Sequence, residues 1–155
     1  MSDRPDLAAM TAPLTRALIA AETPILREHG LSMWAYVVLL GLDERPVRTQ
    51  AALAESIGAD KTRIIRVLDD LQRRGLIERS PDPADRRVRL LSITPEGRRV
   101  RDGAQAGIRR MEERLLARLP DGDREVFVRV LRALSALPPR EFGPDPASAS
   151  RPGGP

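Results

Sequence analysis

The sequence predicts a mainly α-helical fold that carries one small β-hairpin. Most apolar residues recur every three or four positions, which is the period of an amphipathic helix. Residues 76–80 and 88–94 instead read as two strands. The segment between them cannot be helical, because Pro81 and Pro83 lack backbone donors and restrict the residues before them.

Length and composition limit the class of protein. The 155 residues suit one domain, and a hydrophobic content of 41% is enough for a core. The absence of cysteine excludes disulfides and thiol-based sensing, and a single histidine argues against a histidine-built metal site. We expect no cofactor and no metal. No apolar run approaches the ~20 residues needed to span a bilayer, and the N-terminus lacks a signal-peptide pattern, so we expect a cytoplasmic protein.

The first helix is predicted over residues 6–29. Pro13 and Pro24 lie inside its apolar pattern and should kink or split it. His29 in the last turn and Gly30 after it form a helix C-terminal signature. We favour this role for His29 over a role as a ligand.

A second helix is predicted over residues 33–43, with Ser32 as its cap. It is apolar nearly all round and should therefore be buried. Trp34 is then expected to be a core residue. The segment at residues 47–48 that follows is a candidate short strand that pairs with the hairpin.

Two short helices joined by a tight turn are predicted next. Thr49 is a polar N-cap for the first, Gly58 ends it, and Asp60 is placed to cap the second. This order of a helix, a glycine turn and a helix is the helix-turn-helix layout.

The second of these helices, over residues 61–73, has two different faces. Its aliphatic residues share one side, while Thr62, Arg63 and Arg66 lie on the flank and the opposite side. Recognition helices contact base edges mainly through their N-terminal residues, which makes these three the candidates for base contacts. Lys61, with Thr49 and Gln50, is a candidate for the DNA backbone. The alternative is an ordinary amphipathic helix with a solvated charged face.

The hairpin has a polar, basic tip, which is why we interpret it as a wing. Arg86 and Arg87 suit a narrow minor groove, where negative potential attracts arginine. Asp85 could hold the neighbouring guanidinium by a bidentate contact. The alternative is a solvated turn.

Positive charge is concentrated in this part of the chain. Residues 60–101 contain 12 Lys or Arg and 7 Asp or Glu, whereas the remainder contains 14 and 15. Such a local excess is the electrostatic footprint expected of a protein that binds duplex DNA.

Two more helices and a tail complete the prediction. Thr94 and Pro95 begin a long helix that ends near residue 119, in which Gly103 and Gly107 would let another helix approach closely. A last helix begins at Asp121. We predict a dimer built by residues 1–30 and 98–137, a DNA-binding lobe at residues 31–97, and a disordered Pro- and Gly-rich tail at residues 138–155.

Three passages resemble the MarR (multiple antibiotic resistance regulator) family of winged helix-turn-helix regulators. They are L-x-x-x-G-L-I-x-R at residues 71–79, D-P-x-D-R-R at residues 82–87 and L-x-x-T-P-x-G at residues 91–97. The resemblance implies a homodimeric repressor, less often an activator. It also implies minor-groove contact by Arg86, supported by Asp85. Small aromatic or phenolic effectors of this family bind between the dimer helices and the DNA-binding lobe, a crevice that His29, Met33 and Trp34 would adjoin.

We therefore predict a sequence-specific regulator that binds double-stranded DNA. A symmetric dimer would place two recognition helices about 34 Å apart on a palindromic operator. The alternative is an architectural, sequence-tolerant DNA-binding protein without an effector. An enzyme is disfavoured because the sequence has no catalytic cysteine, no paired histidine and no phosphate-cradling glycine loop. A winged helix used only for protein contacts is disfavoured by Arg86 and Arg87.

Overall fold

The computed structural model describes residues 4–43 and 48–143. The described chain is mainly helical with a small antiparallel sheet, which confirms the predicted fold class. Its elements are α1 (Leu7–Glu28), α2 (Met33–Asp43), β1 (Arg48–Thr49), α3 (Gln50–Ser56), α4 (Lys61–Arg73), β2 (Ile77–Pro81), β3 (Arg89–Ile93), α5 (Pro95–Leu116), α6 (Asp123–Ser135) and a 3-10 helix at Pro139–Phe142.

Local signals set the ends of α3 and α4. The Thr49 hydroxyl accepts a hydrogen bond from the Ala52 amide at 3.2 Å, and an Asp60 carboxylate oxygen accepts one from the Thr62 amide at 2.7 Å. Gly58 has a φ of 63°, the left-handed conformation that only glycine adopts cheaply. Both predicted caps and the turn are confirmed.

The sheet has the order β1-β3-β2, with both neighbouring pairs antiparallel. Ile77 pairs with Ile93, and Arg79 pairs with Leu91. The predicted extra strand exists as Arg48–Thr49, although Val47 lies outside the described residues. The sheet therefore connects the wing to the start of α3.

The core lies in the lobe that contains the helix-turn-helix and the sheet. Leu39, Leu53, Leu68 and Leu71 are fully buried, and Ile77 is only 1% exposed. The prediction that Trp34 is a core residue was wrong, because Trp34 is half-buried and stands outside this cluster.

The end of α1 packs against two glycines of α5. A Cβ built on Gly103 would lie 2.9 Å from Cε1 of His29, and one on Gly107 would lie 2.7 Å from Cγ2 of Ile25. The predicted close approach of a second helix is thus confirmed. Helix α1 continues unbroken through its two prolines, so the predicted split does not occur.

Contacts divide the chain into two units, Met1–Glu112 and Glu113–Pro155. In the second unit, α6 starts after Gly122, whose φ is 91°, and not at Asp121 as predicted. Helix α5 ends at Leu116 and not near residue 119. The 3-10 helix is exposed, and residues 144–155 of the predicted tail lie outside the described residues. Among the described helices, none has the length and apolarity needed to cross a membrane.

Candidate nucleic-acid interface

Helix α4 is anchored by one face and open on the other. Ile64, Leu68 and Leu71 are buried, which fixes the helix on the core. The predicted contact residues at its N-terminal end (Lys61, Thr62, Arg63 and Arg66) are all exposed. A hollow of about 520 Å³ lies beside them, lined by Asp60, Thr62, Arg63, Arg66 and Val67. Of the two predicted contact residues on α3, Gln50 is half-buried, and Thr49 is half-buried with its hydroxyl engaged in the cap.

Arginines neutralise both carboxylates in the middle of α4. Asp69 accepts a hydrogen bond from Nη1 of Arg79 at 2.7 Å, and Arg79 also donates to Gln72 at 3.0 Å. Asp70 pairs with Arg73 at 2.5 Å and with Arg74 at 3.2 Å. The sequence did not predict the contact of Arg79 with Asp69, although Arg79 is the last residue of the L-x-x-x-G-L-I-x-R motif. These pairs reduce the negative potential that the two carboxylates would present to DNA.

The wing tip is organised by two aspartates. Asp82 accepts a hydrogen bond from the Ala84 amide at 2.8 Å and donates its own amide to the Val88 carbonyl at 2.8 Å. Asp85 accepts from the amide and the Nε of Arg87, at 3.1 and 3.2 Å. The prediction that Asp85 supports Arg86 was therefore wrong, because the Asp85 carboxylate binds Arg87 instead. Arg86 is exposed, and it forms no hydrogen bond or ion pair with any described residue.

The T-P-x-G passage joins the wing to α5. The Thr94 hydroxyl donates to the Gly75 carbonyl at 2.7 Å and accepts from the Gly97 amide at 3.0 Å. A Cβ on Gly97 would lie only 2.0 Å from the carbonyl oxygen of Leu76. Position 97 therefore requires glycine, and this steric limit explains the glycine of the T-P-x-G passage.

The three predicted crevice residues do not meet in one hollow. The His29 ring lies against Gly103. Met33 lines a hollow of about 430 Å³ at the junction of α1 and α2, together with Thr23, Leu26, Arg27, Gly30, Leu31 and Ser32. Trp34 faces α4, where the guanidinium carbon of Arg63 lies 5.9 Å from the centroid of its ring.

A group of ionisable residues lies between α1, α2 and α5. Burial raises the pKa of the Glu22 carboxyl, and the nearby Glu112 carboxylate raises it further. Burial also raises the pKa of the Tyr36 hydroxyl, with a smaller contribution from Glu22, while a hydrogen bond with Gln105 acts in the opposite direction. In residues 4–43 and 48–143, no group of three or more His, Cys, Asp or Glu could hold a metal ion.

Comparisons with known proteins agree with this architecture. The model of the MarR family matches residues 31–88. The chain is 30% identical, over 125 residues, to the putative transcriptional regulatory protein for the hcr operon of Thauera aromatica, an alignment that covers 78% of this chain and 75% of that protein.

Two solved structures of one repressor are also similar. CouR from Rhodococcus jostii RHA1, bound to p-coumaroyl-CoA, has a TM-score of 0.72 and 28% identity over 88% of this chain and 98% of that one. CouR bound to a 23-mer DNA duplex has a TM-score of 0.73 and 27% identity over 84% and 92%. The chain belongs to the MarR family of transcriptional regulators.

Proposed function

We propose that the protein is a ligand-responsive repressor that binds a palindromic operator in double-stranded DNA as a homodimer. The observation that carries the proposal is the surface formed by the N-terminal end of α4. It presents Thr62, Arg63 and Arg66 around one hollow, while the opposite face of the helix is buried. A helix held in this way can enter a major groove with its N-terminal side chains toward the bases.

The individual DNA contacts are proposed from the position of each side chain on the fold. Thr62, Arg63 and Arg66 would read base edges, and Lys61, Thr49 and Gln50 would contact phosphates. Arg86 would enter the minor groove from the wing tip, with Arg87 and Asp85 shaping the turn beside it. The similar repressor CouR has been solved on a DNA duplex, which supports this use of the fold.

The homodimer is proposed from apolar side chains that the single chain leaves exposed. On α6 these are Val126, Phe127, Val130, Leu131 and Leu134, and Leu137 follows just after the helix; each is between 40 and 46% exposed. Leu7, Met10 and Leu14 of α1 are likewise exposed, by 37 to 58%. Exposed apolar stripes of this length mark protein interfaces. In a symmetric dimer each recognition helix would meet one half of a palindrome.

The effector is proposed to be a small aromatic or phenolic compound. CouR has been solved with p-coumaroyl-CoA, which contains such a group. Of the predicted residues His29, Met33 and Trp34, only Met33 lines the hollow between α1 and α2, which is the candidate entrance. Binding there would shift the spacing of the two recognition helices and lower operator affinity.

Fluorescence anisotropy tests the DNA-binding function. A labelled duplex from the region upstream of the gene is titrated at about 150 mM salt, with a scrambled duplex as competitor. A specific regulator should prefer its site by about 10³-fold or more. Equal competition by the scrambled duplex would favour the architectural alternative, a sequence-tolerant DNA-binding protein without an effector.

Replacing one arginine of α4 separates base reading from phosphate contact. Arg66→Ala should relax the preference at one base pair by about 1–3 kcal/mol if Arg66 reads a guanine. The measurement is a set of duplexes that differ at single positions. A uniform loss across all of them would make Arg66 a phosphate contact.

A further inference from the structure

The only tryptophan of the chain stands against the recognition surface. Trp34 lies on α2, and the guanidinium carbon of Arg63 on α4 is 5.9 Å from its ring centroid. A cation within about 6 Å of a tryptophan ring is attracted by the negative face of the ring. This contact connects α2 to the N-terminal end of α4.

The ring is the one side-chain partner that the described part of the chain offers to the Arg63 guanidinium. No hydrogen bond or ion pair to a described residue occupies this group. The nearest acidic residue in sequence, Asp60, caps the helix through the Thr62 amide. An exposed arginine without such a contact samples many rotamers, and all but a few are lost when it binds.

We propose that Trp34 is a positioning residue of the DNA-binding surface, which holds Arg63 ready for its contact with the duplex. A guanidinium held over an aromatic face by a cation–π contact keeps its N–H donors free for a base or a phosphate. If Arg63 is already restricted in the free protein, less side-chain entropy is lost when DNA binds, and the affinity for DNA is higher. The inference rests on the proposed DNA-binding function.

The contact itself is tested first, without DNA. Because Trp34 is the single tryptophan, its fluorescence reports only this position. Arg63→Gln should uncover the ring face and raise the quenching of its emission by acrylamide. Arg66→Gln removes a neighbouring charge on the same helix and serves as the matched control, with quenching expected to stay at the wild-type level. Equal quenching in wild type and in the Arg63→Gln variant would overturn the proposal.

The effect on binding is then measured with a double-mutant cycle. The duplex is one that the wild-type protein selects from a random-sequence pool. Trp34→Leu should lower affinity about two- to fivefold, the range expected for one cation–π contact at an exposed site. In a protein that already carries Arg63→Gln, adding Trp34→Leu should not lower the affinity further. In a protein that carries Arg66→Gln, adding Trp34→Leu should lower the affinity by the same two- to fivefold as in the wild type.

Two further measurements separate positioning from folding and from the proposed function. Trp34→Phe keeps an aromatic face and should retain most of the affinity, and thermal unfolding shows whether either variant loses the fold. A loss from Trp34→Leu that persists in the Arg63→Gln background would make Trp34 a structural residue and overturn the proposal. If Arg63→Gln weakens binding and Trp34→Leu does not, this inference fails while the proposed function stands. If no duplex is selected, both fail.

Discussion

At the scale of single residues, the two wing arginines differ in what holds them. Arg87 is 91% exposed but its Nε is paired with Asp85 at 3.2 Å. Arg86 has no such partner among the described residues. A guanidinium that gives up no existing ion pair gains more on entering a narrow minor groove.

Arg86→Ala should therefore weaken operator binding by about 10- to 100-fold, or about 1–3 kcal/mol, and leave the dimer intact. The measurement is anisotropy at about 150 mM salt, with size-exclusion chromatography for the dimer. Arg87→Ala is the matched variant and should lose less. Unchanged affinity in the Arg86→Ala protein would remove the wing from the interface.

Gly97 sets a steric limit at the start of α5. Because an added Cβ would lie 2.0 Å from the Leu76 carbonyl oxygen, Gly97→Ala must displace backbone and disturb the bonds of Thr94. We expect a loss of unfolding free energy of at least about 2 kcal/mol, measured by urea denaturation. Ala106→Gly, at an exposed position of the same helix, should cost only about 1 kcal/mol. A Gly97→Ala variant as stable as wild type would show that the junction can move.

At the scale of elements, the packing of α1 against α5 brings Glu22 near Glu112. The pKa of Glu22 is raised first by burial and then by the Glu112 carboxylate, so the folded protein binds the proton more tightly than the unfolded chain does. The contribution of this group to stability is therefore full below the ordinary carboxyl pKa of 4.5 and is lost as pH rises through the folded value.

Glu22→Gln should accordingly raise the thermal midpoint at pH 7 relative to wild type, and the difference should shrink as pH is lowered toward 4.5 and below. Unfolding followed by circular dichroism across this pH range measures it. Glu112→Gln removes only the repulsion by the Glu112 carboxylate and leaves the burial of Glu22 unchanged. It should therefore also raise the thermal midpoint at pH 7, but by less than Glu22→Gln does. A difference that does not vary with pH would assign the gain to packing.

The same scale explains what sequence alone could predict. The limits of α2 and α4 and the caps Thr49 and Asp60 were predicted correctly, because they depend on residues within one turn. The pairing of Arg79 with Asp69 and the cation–π contact of Arg63 with Trp34 were not predicted. Each joins elements that only the tertiary fold brings together.

The wing shows the same limit over a shorter distance. Asp85 is adjacent to Arg86 in sequence, yet the turn directs its carboxylate to the amide and Nε of Arg87. The composition of the tip predicted a basic projection, but the choice of partner depends on how the Asp82 turn orients the chain. The candidate interface was therefore predictable as a set of residues and not as a set of contacts.

At the scale of the whole molecule, ion pairing sharpens the distribution of charge. Within residues 60–101, many arginines are paired with carboxylates, among them Arg73, Arg74, Arg79, Arg87 and Arg99. In the same range, the cations that form no ion pair with a described residue include Lys61, Arg63, Arg66, Arg86 and Arg89. Three of them lie at the N-terminal end of α4 and two lie in the wing, Arg86 at its tip and Arg89 on β3, so within residues 60–101 this charge is concentrated where the contacts are proposed.

The exposed apolar stripe of α6 provides the corresponding test of assembly. Phe127 and Leu134 lie on one face of α6 and are 40 and 45% exposed. Replacing both with Glu should abolish the dimer, because carboxylates buried in an apolar interface lose their hydration without gaining a partner. Arg129→Glu, on the opposite face of the same helix, adds similar negative charge and should remain dimeric.

Light scattering coupled to size-exclusion chromatography gives the mass of each variant. The monomeric variant should bind a half-site duplex as weakly as it binds the full palindrome, whereas the Arg129→Glu protein should prefer the palindrome strongly, because only a dimer engages both half-sites at once. A Phe127→Glu/Leu134→Glu protein that is folded and still dimeric would exclude this face of α6 from the interface and leave α1 as the remaining candidate.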